Sequence, residues 1–370
     1  MLQSYRSRYI GDRLPTSSDS IDSWQALLMH IDAIPTPAAV VDASALSRNL
    51  QSMAARLPGS SLRPHVKAHK CTKLAAQQVA HGHHSFTCAT PREVIGMIGA
   101  GVGDDLLLAN SVLDVDRLTA VATAAESAGV IARVAVDSVD TIEAAHLAGI
   151  RDVIIDVDVG MPRCGARPDQ AGQLADVARQ RGLSVSGVMG YEGHLQMVND
   201  RSEAKERVAE AMALLRAAHD DVGGDIVSTG GTGTHDLHVI GLDHPTGVTD
   251  VQAGSYVMVD TQYATLDQGF EQALTIAGTV IAHHGSRYVI DVGLKALGMD
   301  HGDPSIDDCK IWFCSDEHTT FSSSERTFHV GDRVHVRPAH VDPTIARHEE
   351  LWIVDNGEVI DRWPIDLRHW

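Results

Sequence analysis

The sequence predicts an α/β fold: a (β/α)8 TIM-type barrel followed by a mostly β domain. Three observations carry that expectation. From about residue 36, short apolar, β-branched runs alternate with alanine-rich segments at helical spacing. About eight such strand–helix units fill roughly 230 residues, the size expected of a (β/α) barrel. After about residue 270 the helical spacing stops and strand-like runs with turn punctuation take over. An open, doubly wound parallel sheet satisfies the same alternation. The predicted organisation is a polar N-terminal arm at 1–35, a barrel over 36–270 and a β domain over 271–370.

The strands are expected at AAVVD (38–42), LRPHVKA (62–68), SFTCAT (85–90), DLLLAN (105–110) and IARVAVD (131–137), then at VIIDVDVG (153–160), VSGVMGYEG (185–193) and DIVSTGG (225–231). Helices such as ASALSRNLQSMAARL and VDRLTAVATAAESAG separate them, several opening on Asp, Ser or Pro and closing on Gly. In the β domain, ALTIAGTVIAHH, RYVIDVG, KIWFCS, RVHVRPAHVD and LWIVDNGEVIDRW read as strands. A barrel gathers the C-terminal ends of its strands at one mouth. Those ends carry Asp42, Lys67, Thr90, Asn110, Asp137, Arg163, Tyr191, His194, Gly230 and Gly231.

Composition narrows the function. The chain has 370 residues, is 44% hydrophobic and carries a net charge of −19. With no Lys/Arg run it lacks the basic face of a nucleic-acid binder. Five cysteines at irregular spacing do not form a disulfide framework, and Cys309 and Cys314 lack the second pair of a structural zinc site. No apolar run reaches membrane-spanning length, and the N-terminus has no apolar signal core, so the expected address is the cytoplasm.

Four stretches carry chemistry. STGGTGTHD (228–236) follows a strand, and its glycines would let backbone N–H groups approach an anion; a flexible loop is the other reading. QAGSYVMVD (252–260) offers the Gly254 N–H with the Ser255 and Tyr256 hydroxyls, and two such loops after the last barrel strands match the usual phosphate position. In VRPAHVDPT (336–344), His340 and Asp342 stand two apart, on one face if the segment is a strand, and suit Mn²⁺, Mg²⁺ or Zn²⁺; a surface His and a turn-opening Asp fit as well. LRPHVKAHK (62–70) puts Lys67 at a strand end, where His65, His69 and Lys70 could lower its pKa and make its amine a nucleophile. A lysine beside a phosphate site with no nucleotide motif suggests pyridoxal phosphate held as a Schiff base.

Together with VDVGMPRCGARP and DVGLKALGMDHG, these stretches occur in the order found in one family. Over residues 36–365 the chain resembles the D-threonine aldolase and D-serine dehydratase group, the metal-assisted, alanine racemase-like enzymes of pyridoxal phosphate fold type III. The resemblance implies a barrel plus a β domain, a homodimer, and a small D-β-hydroxy amino acid as substrate. It implies Lys67 as the Schiff-base lysine, Arg163 near the cofactor's phenolic oxygen and Tyr191 beside its ring. Gly231, Thr232, Gly233, Ser255 and Tyr256 would hold the phosphate. His340 and Asp342 would hold a divalent metal, Mn²⁺ ahead of Mg²⁺ or Zn²⁺. His194 is the candidate base, with a structural histidine as the other reading.

The expected reaction is cleavage of D-threonine-like substrates to glycine and an aldehyde. A D-serine or D-3-hydroxyaspartate dehydratase uses the same parts, and within the family a carboxylate such as Asp342 in place of a thiolate is more aldolase-like. A racemase and a non-catalytic pyridoxal phosphate carrier are the remaining readings; residues 271–370 count against the carrier.

Overall fold

A computed structural model describes residues 29–370; residues 1–28 of the expected polar arm lie outside the described residues. The chain enters through β1 (Met29–His30), β2 (Ala38–Asp42) and helix α1 (Ala43–Arg56), whose first turn is capped by the Asp42 carboxylate accepting from Ala45 N at 2.7 Å. Seven parallel strands follow: β3 (Ser85–Cys88), β4 (Asp105–Leu108), β5 (Ile131–Val136), β6 (Asp152–Asp156), β7 (Ser184–Met189), β8 (Ile226–Thr229) and β9 (Asp250–Val251). Residues 62–65 close the ring: Leu62 bridges Val251 on one side, and His65 bridges Thr87 on the other, both parallel. The Arg63 N–H donates to Val251 O at 2.9 Å and Thr87 N–H to Pro64 O at 3.0 Å. The barrel is therefore present, with two changes of membership. The expected first strand, 38–42, does not enter it, and β9 takes the eighth place. A two-residue strand has no alternation to read, which is why 250–251 was not foreseen.

Alternation along the strands sorts the side chains. Leu106, Leu108, Val134, Val136, Val153 and Ile155 face the surrounding helices, whereas Leu107, Ala135, Ile154 and Met189 form a separate buried cluster inside the ring. Two residues below Leu107, Ala135 and Ile154 stand Asp105, Arg133 and Asp152, a polar layer at the N-terminal end. Arg63 is buried in that layer. Its guanidinium lies 3.1 Å from Asp105 and 3.4 Å from Asp250. Arg133 pairs with Asp105, and the Ser186 hydroxyl donates to Asp152. Burial works to raise the Asp105 pKa, but the two arginines outweigh it and hold the carboxyl below its ordinary range.

The second sheet runs β1–β16–β15–β2–β10–β11–β13–β12, with β14 also pairing β10. Its members are β10 (Leu274–His284), β11 (Arg287–Ile290), β12 (Cys309–Cys314), β13 (Thr319–Ser323), β14 (Arg333–Val336), β15 (Glu350–Asp355) and β16 (Glu358–Pro364). Strand β2 lies inside this sheet, antiparallel to β10 and parallel to β15. Ala38, Ala39, Val40 and Val41 are all buried, so the strand needs cover on both faces, and a position between two long strands supplies it. The expected strand RVHVRPAHVD stops at Val336; residues 341–345 form a short helix instead, with Pro343 inside it. No helix among the described residues is long and apolar enough to cross a membrane.

Removing one partner of a buried ion pair leaves the other uncompensated, at a cost of about 3–5 kcal/mol. Arg63→Leu strips Asp250 of its cation and leaves Asp105 with Arg133 alone. The expected outcome is a loss of stability of that order in urea unfolding; a loss below about 1 kcal/mol would show that the layer does not close the barrel.

Candidate active site

Lys67 follows directly from the closing segment. After His65 the backbone leaves the strand direction and makes a 3-10 turn, Val66–Ala68, so the closing strand is shorter than the 62–68 expected. The turn lifts Lys67 to the mouth, where its side chain is 37% exposed and its Nζ stands 3.9 Å from an Asp342 oxygen. The same Nζ lies 5.8 Å from the Tyr191 ring centre, and the Arg163 guanidinium lies 5.6 Å from it. Lys67, Arg163, Tyr191 and Asp342 therefore come together from three barrel loops and the C-terminal region. Burial raises the Tyr191 pKa, and Glu192 and Asp342 raise it further, so its hydroxyl stays protonated.

The neighbouring bases do not act as the sequence suggested. Burial, with Lys67 next, drives the His65 pKa well below its usual value; its Nδ1 accepts the Lys67 backbone N–H at 3.4 Å. Burial pushes His69 down to about 4. Lys70 is paired with the buried Glu93. Near neutral pH none of the three adds an unpaired positive charge beside Lys67.

The two glycine loops do meet. The Tyr256 N–H donates to Thr232 Oγ1 at 3.1 Å, fastening 254–256 to 230–234. Among the described residues, the backbone N–H groups of Thr232 and Ser255 have no protein acceptor, the donor set an anion such as a phosphate needs. The Tyr256 hydroxyl is a correction. It turns into the core and accepts from Gln78 Nε2 at 3.0 Å, so it does not join the free N–H groups of the two loops. A Cβ on Gly233 would fall 1.9 Å from Gln196 O, so this glycine serves backbone packing; at Gly231 the obstacle is the Gln196 side chain, 2.5 Å away.

Glu192 organises the first loop and was not foreseen as doing so. Fully buried, it accepts from the Thr229 hydroxyl at 2.9 Å, Gly230 N–H at 3.2 Å, the Thr234 hydroxyl at 2.6 Å and His238 Nε2 at 3.0 Å. Burial opposes the charge, yet His238 and Thr234 hold the carboxyl at about 2. Gln196 adds a bond from the Gly233 N–H to its Oε1 at 2.8 Å. A lone Glu between Tyr191 and Gly193 gives no sequence signal for this role; its donors come from positions about forty residues later.

His194 lies in a 3-10 turn, exposed, beside Gly160: a Cβ there would stand 3.2 Å from its imidazole. Neither of its nitrogens bonds protein among the described residues. His340 and Asp342 require a second correction, because they do not share a strand face. His340 precedes the helix Val341–Ile345 and Asp342 lies in its first turn. The buried Asp260 accepts from Val341 N–H at 3.2 Å and Tyr263 N–H at 2.9 Å, anchoring this helix to the barrel end. The Ser255 hydroxyl points to Asp342 at 3.4 Å. His340 Nδ1 meets Asp300 at 2.7 Å, leaving Nε2 without a protein partner among the described residues. An imidazole nitrogen and a carboxylate of this kind fit a hard or borderline divalent ion.

Glu192→Gln replaces an acceptor by an amide whose nitrogen faces donors. A loss of about 1–3 kcal/mol at neutral pH is expected in urea unfolding. Because the folded pKa is depressed, this contribution is complete above the ordinary carboxylate range and is lost as pH falls through about 2. The two proteins should therefore converge only in strong acid; equal stability at neutral pH would contradict the role.

The family model "Alanine racemase, N-terminal domain" matches residues 41–261, and "Putative serine dehydratase domain" matches 273–354. The chain is 31% identical to D-threonine aldolase of an Arthrobacter species, covering 90% of this chain and 93% of that protein. It is 32% identical over 300 residues to D-threo-3-hydroxyaspartate dehydratase of a Delftia species, covering 75% and 76% of the two chains. The crystal structure of D-threonine aldolase from Filomicrobium marinum superposes with a TM-score of 0.83 at 31% identity, over 93% of this chain and 99% of the other. The chain belongs to the alanine racemase-like, pyridoxal phosphate-dependent lyases that include D-threonine aldolase.

Proposed function

We propose that the protein is a divalent metal-dependent aldolase that cleaves D-β-hydroxy-α-amino acids of the D-threonine type to glycine and an aldehyde. The observation that carries this reading is the meeting of Lys67 with Asp342, 3.9 Å apart. It joins the amine of the barrel to the carboxylate of the C-terminal region at one aromatic ring. When bound, pyridoxal phosphate supplies an electron sink for the α-carbon and the divalent ion a Lewis acid for the β-hydroxyl.

The chain's own residues divide the remaining work. The Lys67 amine would hold the cofactor. Tyr191 offers a flat face to the ring, with Arg163 beyond it. The N–H groups of Thr232 and Ser255 would bind the phosphate, with Gly231, Gly233 and the Tyr256 backbone shaping the two loops around them. His340 and Asp342 bind the ion; a nitrogen and a carboxylate without thiolate favour Mn²⁺, with Mg²⁺ or Zn²⁺ as substitutes. His194 takes the β-hydroxyl proton, a role supported by an exposed imidazole whose two nitrogens both lack protein partners among the described residues.

The second reading is dehydration, favoured by the similarity to the Delftia dehydratase. Lys67 would then remove the α-proton while the β-hydroxide leaves. Incubation with D-threonine and D-serine in the presence of Mn²⁺ separates the two: glycine with acetaldehyde indicates cleavage, a keto acid with ammonia indicates dehydration. The same proposal includes a homodimer, supported by Trp312 and Phe313, 53% and 58% exposed on the edge strand β12. It also includes a cytoplasmic address, supported by five free cysteines.

Lys67→Ala is expected to lose the visible absorption of bound pyridoxal phosphate and all cleavage, and borohydride reduction of the native protein should mark Lys67 in a peptide map. A mark on another lysine would displace the assignment. Chelation with EDTA, or His340→Ala, should abolish cleavage while the absorption persists, and Mn²⁺ should restore the chelated native enzyme. Full turnover in protein shown metal-free by elemental analysis would refute the metal role.

A further inference from the structure

His340 does not stand alone. Gly298 forms an antiparallel bridge with it, and a Cβ on Gly298 would fall 2.3 Å from Pro343 Cγ. The Gly298 N–H donates to Thr344 Oγ1 at 2.9 Å, and that hydroxyl donates to His340 O at 2.6 Å. The glycine thus lets residues 298–301 lie against the start of the helix Val341–Ile345. Two residues beyond it, Asp300 Oδ2 reaches His340 Nδ1 at 2.7 Å. The His301 ring stacks on the His340 ring, centroids 3.7 Å apart and 9° from parallel.

We infer that Asp300 is a positioning residue for the divalent ion, acting through His340. This rests on the reading that His340 binds that ion. A carboxylate on Nδ1 keeps the proton there, leaves the Nε2 lone pair free and makes that nitrogen a better donor. The His301 stack limits rotation of the ring about its own bond, so Nε2 keeps one direction. Sequence spacing could not show the pair, because Asp300 and His340 lie 40 positions apart.

The donor atoms of Asp300, His301 and His340 all lie within 4.8 Å of one another, which raises the rival that all three bind one ion directly. The contact distance argues against it. Two ligands at about 2.1 Å in octahedral geometry stand about 3 Å apart. The 2.7 Å between Asp300 and His340 is a hydrogen-bond separation.

The test is Mn²⁺ binding, followed by electron paramagnetic resonance, to pyridoxal phosphate-loaded protein. Native protein is compared with Asp300→Asn, Asp300→Ala and His340→Ala. Asp300→Ala is expected to weaken Mn²⁺ binding about 10- to 100-fold. Asp300→Asn, which keeps an acceptor on Nδ1, should lose less. Cofactor absorption and thermal midpoint should stay at native values in both, which a merely structural role would not allow alongside lost affinity. If His340→Ala binds Mn²⁺ like the native protein, the metal reading itself fails and this inference with it. If His340→Ala loses the ion but Asp300→Ala binds it natively, the positioning role alone is overturned. Loss in Asp300→Ala as complete as in His340→Ala would make Asp300 a direct ligand and also overturn it.

Discussion

The mouth of the barrel depends on how the barrel is closed. Residues 62–65 join the first and last strands of the ring through few backbone bonds, too few to fix a register by themselves. The buried Arg63 supplies what the backbone lacks. It is held between Asp105 on the second strand of the ring and Asp250 on the last, and Arg133 continues the layer to Asp152. A displaced register would bury at least one of these charges unpaired, which is far more costly than a displaced apolar contact. Lys67 stands four residues further on. Its position over Tyr191 follows from a charge network at the opposite end of the ring.

A second constraint sets the other half of the site. The helix that carries Asp342 belongs to the C-terminal region, yet Asp260 at the barrel's end accepts its first N–H. The Thr261 N–H donates to Pro338 O at 3.1 Å across the same junction. One apolar core runs beneath, shared by Leu62, Leu74, Val251 and Tyr256 of the barrel side and Leu274, Val280 and Val336 of the second sheet. A site built across such a junction is rigid only because the junction is packed like an interior.

What the sequence revealed follows from what one-dimensional patterns encode. Alternation and helical spacing are local, so strands 85–88 through 226–229 were legible, as were the two glycine loops. Lys67, Arg163, Tyr191 and Asp342 were legible as residue types at strand ends or in motifs, and they do converge. Besides strand 250–251, three features were not legible, each for a distinct reason. Strand 38–42 has the apolar pattern of any buried strand, and nothing local says which sheet will cover it. His340 and Asp342 show the spacing of a strand face, but Pro343 and the Asp260 acceptor make the segment helical. Glu192 and Asp300 act through partners 37 to 46 and 40 positions away, separations that no local motif spans.

Strand 38–42 also sets a timetable. Its two neighbours, 274–284 and 350–355, leave the ribosome more than two hundred residues after it does. Until then, four consecutive apolar residues have no sheet to join, while the intervening barrel strands already have nearest neighbours close in sequence. The second sheet is thus the part of the chain with the longest loops to close, and long-range pairing of this kind is slow. An incomplete chain ending before residue 350 would keep strand 38–42 half paired, its open edge available to other strands. A strand made early is thus completed by one made late, and the second sheet closes only when nearly the whole chain is available.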